Sequence, residues 1–580
     1  MRKIYIVVLL AGLIVVAGYI WLRLALKTDK PQHSGVHAEK PINEKPKPLL
    51  DVRPRLIERL QELVKKGSDG LYNLSIEKIE PDLLNSTVQV SNVTITRDEA
   101  GFAELVKNKK APDDVFEISA PLLEIKGIGL EDLLNKDVID LKLVLVNDPV
   151  IKVNRSKRAY NKPDRSSTLY QKLLGQLKSF SVDEIRIRNG TLVLNNNKVA
   201  NPTQLKNVSI HMKDLLIDSS TQYDQDRFLF ARFAELNFKN LRLPTKDNLY
   251  WVDVASVAVS ATDKKISASG ISLKSRNSKT EFQKKLKDRK VMYSVSAPSV
   301  QITAVNWWKI FNGEGLEADE VNVNNAKATI YLDRSLPVAK KPLNDFPHQL
   351  LSNLSVPVRI KKLNLNSASI AYQEFNPLSK NTGTINLTSV DTRITNLTNL
   401  KEAINKNSKT GFVTSAVFMG KGRLKTNIQF DMSKLKTGAF TASIEMSALT
   451  NETLNKIAEP LGLFTVKDGN LQKASANLVG NNYQASGKVT VLYDDLHITP
   501  LKPADSDTTE LKKKHLVSFI ANTFLIKDNN PSKGEKPRVE DALYKRTEGS
   551  DLFNLLWKTV LVGTLKTIGI NEKYAAPPDQ

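Results

Sequence analysis

Short apolar runs, partly alternating with polar residues, recur along most of the chain and are separated by Asn, Gly and Asp. Examples are VQVSNVTI from Val88, IRIRNGTLVL from Ile185 and VNVNNAKATIYL from Val321. Alternation with a period of two is typical of a strand that buries one face. Asn189-Gly190 and Asn324-Asn325 lie between apolar runs, where hairpin turns are expected. The pattern predicts a mainly β fold with few helices.

The N-terminus has a different pattern. Residues Ile4 to Leu22 read IYIVVLLAGLIVVAGYIWL, without charge or proline, and this length of about 19 residues matches a bilayer core. Tyr19 and Trp21 are placed as interfacial aromatic residues, and no small-residue cleavage site follows. We therefore predict a transmembrane helix over 4–22, with residues 1–3 in the cytoplasm. Residues 23–50, rich in Pro and Lys, are predicted to form an extended linker.

The chain also resembles itself. SAPLLEIKGIGLEDLLNKDVIDLKLVLVN from Ser119 aligns with SAPSVQITAVNWWKIFNGEGLEADEVNVNN from Ser296, and IRIRNGTLVL from Ile185 aligns with LNLNSASIAY from Leu363. The nearly constant spacing indicates a duplication. Each copy contains one short amphipathic helix, near 170–178 and 348–354. We predict two β-rich repeats, 51–220 and 221–400, then a β segment at 401–500 and a helical tail at 501–580.

Repeated antiparallel hairpins predict an elongated, curved sheet with an open apolar groove. Two packed sandwiches are the alternative, and a register slip of one residue would exchange the faces of any strand. The predicted groove lining consists of apolar residues from two matched strands: Ile185, Ile187, Leu192, Leu194, Leu363, Leu365 and Ile370.

The helical tail is predicted to be amphipathic, with Ser550 as its cap and Gly569 at its end. Its apolar stripe could close the end of the sheet, or it could contact a membrane or a partner. The stripe comprises Phe553, Leu556, Trp557, Val560, Leu561, Leu565 and Ile568.

Charge and composition limit the kinds of partner and reactive site that the chain can have. The net charge of +22 favours anionic partners, and the predicted membrane helix favours a lipid surface over nucleic acid. The sequence has no cysteine, which excludes disulfides, thiolate nucleophiles and zinc–thiolate sites. Its six histidines are scattered without metal-ligand spacing; His33 and His37 fall in the linker. We expect no metal, no cofactor and no catalytic residue, and thus a protein that is not an enzyme.

Three segments resemble the AsmA-like family of bacterial envelope proteins, specifically over 400–570. They are GAFTASIEMSALTNETLN from Gly438, VKDGNLQKASANLVGNNYQASGKVTVLYDDLHI from Val466 and LFNLLWKTVLVGTLKTIGI from Leu552. The resemblance implies a groove folded like a taco shell, an inner-membrane anchor and a body in the periplasm. It also implies transport of phospholipid for envelope and outer-membrane homeostasis. This chain is shorter than members thought to bridge the periplasm. The alternative is a non-catalytic envelope scaffold or an assembly factor for outer-membrane proteins.

Overall fold

A computed structural model describes most of residues 57–570, apart from 128–137, 161–178, 197–202, 502–525, 547–549 and shorter gaps. The fold is mainly β, with 59% strand and 16% helix, which confirms the predicted fold class at that level. Among the described residues, no helix is both long and apolar enough to span a bilayer. The predicted membrane helix at 4–22, the linker and the predicted helix at 170–178 lie outside the described residues.

The chain forms two compact units, one of residues 1–242 and 255–265 and the other of residues 243–254 and 266–580. The first nine strands and one helix are β1 (Tyr72–Ser75), β2 (Lys78–Asp82), β3 (Thr87–Arg97), α1 (Glu99–Lys107), β4 (Asp114–Lys126), β5 (Val138–Asn147), β6 (Val150–Arg155), β7 (Ser179–Asn196), β8 (Thr203–Ile217) and β9 (Ala231–Pro244). In unit 1, β3 pairs antiparallel with β1, β2 and β4. Further along the chain, β8 pairs antiparallel with both β7 and β9.

The remaining elements are β10 (Tyr250–Ser260), β11 (Lys265–Ser275), α2 (Lys279–Lys284), β12 (Met292–Thr303), α3 (Trp307–Phe311), β13 (Leu316–Asn324), β14 (Lys327–Asp333), α4 (Pro347–Ser352), β15 (Val358–Asn376), β16 (Asn381–Thr398), α5 (Lys401–Lys406), β17 (Lys409–Phe418), β18 (Gly422–Asp431), β19 (Phe440–Leu449), α6 (Asn451–Ile457), β20 (Phe464–Gly480), β21 (Gln484–Pro500), β22 (Val539–Lys545) and α7 (Leu552–Thr567). In unit 2, strands β15 to β22 pair antiparallel in chain order.

The same pairing scheme occurs once in each unit. In unit 1, β4 pairs antiparallel with both β5 and β6, which in turn pair in parallel with the long strand β7. In unit 2, β12 pairs in the same way with β13 and β14, and both of these pair in parallel with β15. The long connections before β7 and β15 allow the parallel pairing. The sheet is therefore rich in antiparallel pairs, whereas the sequence predicted only antiparallel pairing.

One hydrogen bond outside the ladders is repeated as well. The Tyr72 hydroxyl accepts a hydrogen bond from the backbone N–H of Phe116 at 3.2 Å in unit 1. In unit 2, the Tyr250 hydroxyl accepts one from the N–H of Tyr293, also at 3.2 Å. These positions differ by nearly the same number of residues as the sequence repeats. A common hydrogen bond and a common pairing scheme support the inferred duplication.

Neither of the two predicted hairpin turns connects a pair of hairpin strands. Asn189-Gly190 lies within β7, where Asn189 has a φ of 54° and the register against β8 shifts between Ile187 and Gly190. This is a β-bulge, which explains the Asn in the left-handed region. Asn325 follows β13 with a φ of 52°, but β13 and β14 both pair with β12 and β15 rather than with each other. The turn signal there marks a break between two successive strands.

The bulges preserve the face on which apolar residues lie. Leu365 pairs with Thr392, and Ala368 pairs with Val390 two residues away, so Leu365 and Ala368 share a face despite their odd spacing. Ile370 then follows on that face. The bulge residue is Ser367, with a φ of 52°. Without the extra residue, Leu365 and Ile370 would point to opposite sides of the sheet.

We expect Ser367→Val to destabilise the protein by about 1–2 kcal/mol, because a β-branched residue is poorly accommodated in the left-handed region. Ser367→Gly should be neutral or stabilising. The midpoint of urea unfolding measures both effects. Ser369→Val is the matched control, since Ser369 pairs with Lys327 on the same strand and does not have a positive φ. Equal midpoints for the two valine variants would contradict the role of the bulge.

Candidate functional site: the apolar face of unit 2

One face of the unit 2 sheet carries apolar residues in a continuous cross-strand row. Successive partners from β13 to β22 form this row: Val321, Leu363, Ile394, Phe412, Ile428, Ala442, Leu478, Gly487 and Ala542. Cross-strand partners lie on the same side of a sheet. We call this side, which also carries Leu365, Ile444 and Val489, the apolar face.

The opposite side carries the neighbouring row, which is almost entirely polar: Asn322, Asn364, Arg393, Val413, Asn427, Ser443, Asn477, Lys488 and Asp541. Side chains within this row bond across strands, as when the Asn364 amide donates to the Asn322 side-chain oxygen at 2.8 Å. The sheet therefore separates an apolar side from a water-facing side, as period-two alternation requires.

Helix α7 covers one part of the apolar face. It packs against β21 and β22. Val489 of β21 is fully buried there, and Ala442 of β19 and Leu478 of β20 are nearly inaccessible in the same cluster. Gly563 permits this approach, because a Cβ on it would lie only 2.4 Å from the Cβ of Val489. Leu555 is fully buried in the same cluster. The tail helix closes this portion of the sheet, one of the two roles that its sequence allowed.

The predicted apolar stripe of the tail is only partly correct. Leu556, Leu565 and Ile568 are buried, and Val560 and Leu561 pack against the same core. Phe553 and Trp557 instead remain 47% and 39% exposed. The buried side is centred on other residues, namely Leu555, Thr559, Val562 and Gly563. The helix is thus rotated, because close packing around Gly563 sets its orientation.

The ends of α7 also differ in detail from the prediction. Asp551, not Ser550, is the N-cap, and its side chain accepts a hydrogen bond from the Asn554 N–H at 2.8 Å. Gly569 follows the helix with a φ of 93°, as a C-terminal glycine should. Near the N-terminus of α7, the Phe553 ring contacts the Tyr372 ring of β15, with centroids 5.6 Å apart. The exposed side of α7 therefore meets the apolar face again at β15.

Between β15 and β19 the apolar face is not fully covered. Leu363, Ile394, Phe412, Ile428 and Ile444 are all partly accessible to solvent. Beside them, Ala368, Val390 and Ala416 form a small buried cluster with Leu365 and Ile370 against it. The result is a strip of accessible apolar side chains on a sheet whose other side is polar.

Short helical segments bound this strip at both ends of the strands. At one end, Phe346, the N-cap residue of α4, packs on Phe440. His348 of α4 stacks on Phe430, with ring centroids 4.6 Å apart. At the other end, Leu461 after α6 lies against Gly383 of β16. The strip is bounded by α4, α6 and α7.

An ion pair between Arg546 and Asp345 connects residues next to α4 with residues next to α7. The Arg546 guanidinium donates to the Asp345 carboxylate at 2.5 Å and to the Ser550 carbonyl, and it lies over the Phe346 ring at 4.6 Å. Its side chain is only 1% exposed. Since both α4 and α7 adjoin this guanidinium, Arg546 ties the two covering helices together.

The seven predicted lining residues fall on two strands. Ile185 and Ile187 lie in β7 and are each 6% exposed, so they belong to the packed core of unit 1. Leu192 and Leu194 lie on the same side of β7 beyond its bulge and are partly accessible. Leu363, Leu365 and Ile370 lie together on the apolar face of unit 2.

Sequence reasoning missed the residues that extend the strip across β17 to β19. Phe412, Leu424, Ile428, Ile444 and Met446 all lie on the apolar face there. Alternation in FVTSAVF, GRLKTNIQF and FTASIEM carries the signal. Within the described residues, no cluster of three or more His, Asp or Glu side chains could hold a metal ion.

The chain matches no protein-family model and no curated protein sequence. The resemblance to the AsmA-like family therefore rests on the three segments quoted above, and the function that it implies is a proposal.

His348 gives the α4 end a pH dependence. Its ring is 2% exposed, neither nitrogen has a hydrogen-bond partner, and burial lowers its pKa from 6.5 to about 4, partly opposed by Asp431. The folded state therefore disfavours protonation, and stability falls as the pH decreases from 6.5 towards 4. The full shift corresponds to about 3 kcal/mol.

We expect His348→Phe to remove this part of the acid destabilisation, because phenylalanine keeps the stacked ring without a titrating group. Thermal unfolding between pH 7 and about pH 4 measures the effect. His497→Asn is the control, since the His497 side chain is 55% exposed. A His348→Phe variant that loses as much stability on acidification as the unmodified protein would contradict the assignment.

Proposed function

We propose that this protein binds phospholipid through the apolar face of unit 2 and conveys it within a bacterial envelope. The observation that carries the proposal is the strip of partly accessible apolar residues from β15 to β19. Apolar area left in water is unfavourable by about 25 cal/mol per Å², so a strip of this kind favours an apolar ligand.

An acyl chain fits the dimensions and chemistry of the strip. Strands lie about 4.8 Å apart, so the five strands β15 to β19 extend the strip over about 19 Å. Burial of each CH₂ group stabilises a bound chain by about 0.8 kcal/mol. Such a ligand needs no directional partner along its length. The same face also carries Thr392, Thr414 and Thr426 in the row of Leu365, and the Thr392 and Thr414 hydroxyls satisfy each other by a hydrogen bond of 3.0 Å.

The cellular setting in the proposal comes from the sequence. The predicted helix at 4–22 would anchor the chain in the bacterial inner membrane with its N-terminus in the cytoplasm. The body would lie in the periplasm, and the resemblance to the AsmA-like family supports a role in envelope and outer-membrane homeostasis. In this proposal the protein is not an enzyme. Its partners are membrane phospholipids and possible envelope proteins, not nucleic acid.

The alternative is a scaffold or assembly factor whose sheet edge pairs with a client protein. Strand β22 supports it, because among the described strands β22 pairs only with β21. Its outer edge is partly protected, however, since the Lys566 ammonium donates to the Asp541 carbonyl at 2.8 Å. Crosslinking from β22 that traps one protein client, in preparations without lipid, would favour the scaffold.

We expect Ile428→Asp to lower the amount of phospholipid that co-purifies with the full chain by about threefold or more, because a carboxylate among acyl chains is strongly unfavourable. Native mass spectrometry after detergent extraction measures the occupancy. Asn427→Asp is the matched control: it places the same carboxylate on the same strand, but on the polar face.

The variant Ile428→Ser separates binding from folding, since it removes apolar area without adding charge. It should lower occupancy less than Ile428→Asp while leaving the circular dichroism spectrum unchanged. A full chain that never carries phospholipid, or equal occupancy in Ile428→Asp and Asn427→Asp, would exclude lipid binding on this face.

A further inference from the structure

Three segments lie side by side at the α4 end of unit 2: residues 347–357, 399–409 and 431–438. The Gln349 side-chain amide donates to the Leu435 carbonyl at 2.6 Å, and the Asn399 amide donates to the Val356 carbonyl at 3.1 Å. The Met432 N–H donates to the Ser408 carbonyl at 2.8 Å, which joins the second segment to the third. We call these three segments together the basic end.

Apolar side chains of the basic end point in two directions. Leu351 faces the interior with 9% exposure, as does Phe346, which immediately precedes the first segment and is fully buried. Leu350, Leu354 and Val356 are instead 54%, 53% and 54% exposed. Three large apolar residues that are each more than half exposed within seven positions form a protruding patch. Such a patch is unfavourable in water unless something covers it.

The charge around this patch is positive. The three segments contain five lysines, Lys401, Lys406, Lys409, Lys434 and Lys436, against two acids, Glu402 and Asp431. Lys409 pairs with Asp431 at 2.8 Å. The other four lysines are exposed, and none of them forms an ion pair within the described part of the chain.

Neighbouring acids do not neutralise this charge. Glu317 and Asp319, near the start of β13, already bind cationic partners, Glu317 with Arg359 at 3.0 Å and Asp319 with Lys361 at 2.7 Å. The four exposed lysines of the basic end therefore remain available to an external anion.

We propose that the basic end docks on the surface of a bilayer that contains anionic lipid. Leucine and valine would enter the boundary between headgroups and acyl chains, while the lysines contact phosphates. Nucleic acid would attract the lysines but would not stabilise the protruding leucines. The same short helix covers the end of the apolar strip through Phe346 and His348. The docking surface thus adjoins the proposed lipid site. If the proposed function holds, lipid would enter or leave the apolar strip at this surface.

Because the chain has no cysteine, a single Leu354→Cys substitution provides a unique label position. The full chain, reconstituted in phosphatidylcholine nanodiscs, would carry an environment-sensitive fluorophore there. We expect a blue shift when vesicles containing phosphatidylglycerol are added, and little change with vesicles of phosphatidylcholine alone. Val539→Cys, at a residue 51% exposed at the end of β22 opposite Arg546, is the control label and should not respond.

The charge requirement has its own matched pair of variants. Replacement of Lys401, Lys406, Lys434 and Lys436 by glutamine should weaken vesicle binding about tenfold or more, because each lysine contributes to attraction by the anionic surface. Replacement of four other exposed lysines of unit 2, Lys421, Lys425, Lys467 and Lys473, by glutamine should leave it unchanged.

The double variant Leu350→Ser/Val356→Ser, labelled at Leu354→Cys, should also lose the blue shift. A blue shift of equal size at both label positions, no response at Leu354→Cys, or full binding after loss of the four lysines would overturn the proposal. A response that needs an added protein would assign the surface to a protein partner instead. Native mass spectrometry of bound phospholipid is independent of vesicle docking, so failure of docking with lipid still bound would leave the proposed function standing.

Discussion

The structure depends on one constraint: along each long strand, apolar side chains must stay on a single face. Side chains alternate strictly, so one extra residue would transfer every later side chain to the opposite face. In β7 and β15 that extra residue is absorbed by a bulge, with Asn189 and Ser367 in the left-handed region. The bulges allow a strand of up to 19 residues to present one continuous apolar side.

The extent to which that apolar side is covered differs between regions. In unit 2 the side chains near β21 and β22 are covered by α7, with Gly563 against Val489, and they form an ordinary core. Within the described residues, the strip from β15 to β19 is bounded by α4, α6 and α7, and its side chains remain partly accessible. The accessible strip and the packed core are thus parts of one face, and Phe412, Ile428 and Ile444 of the strip pack against that core.

Sequence alternation was sufficient to predict the β class, the spacing of the repeats and the apolar character of Leu363, Leu365 and Ile370. It could not distinguish a turn from a bulge, because Asn-Gly satisfies the backbone requirements of both. Nor could it give the orientation of α7. Seven residues of that helix fit a stripe by periodicity, but the missing side chain at Gly563 sets which side approaches the sheet. The basic end could not be predicted from the sequence either, since its lysines come from segments far apart in the chain.

The repeated pairing scheme shows that one backbone arrangement can carry a packed core in one unit and a partly accessible apolar strip in the other. In unit 1, Ile185 pairs with Met212 and Ile187 with Ile210, and Ile185, Ile187 and Met212 are buried. In the matching places of unit 2, Leu363 pairs with Ile394 and Leu365 with Thr392, and all four are partly accessible. The strand order, the parallel pairs and the bulge are the same in both. A packed core and a partly accessible strip therefore occur on the same backbone arrangement, and the matched residues differ in how deeply they are buried.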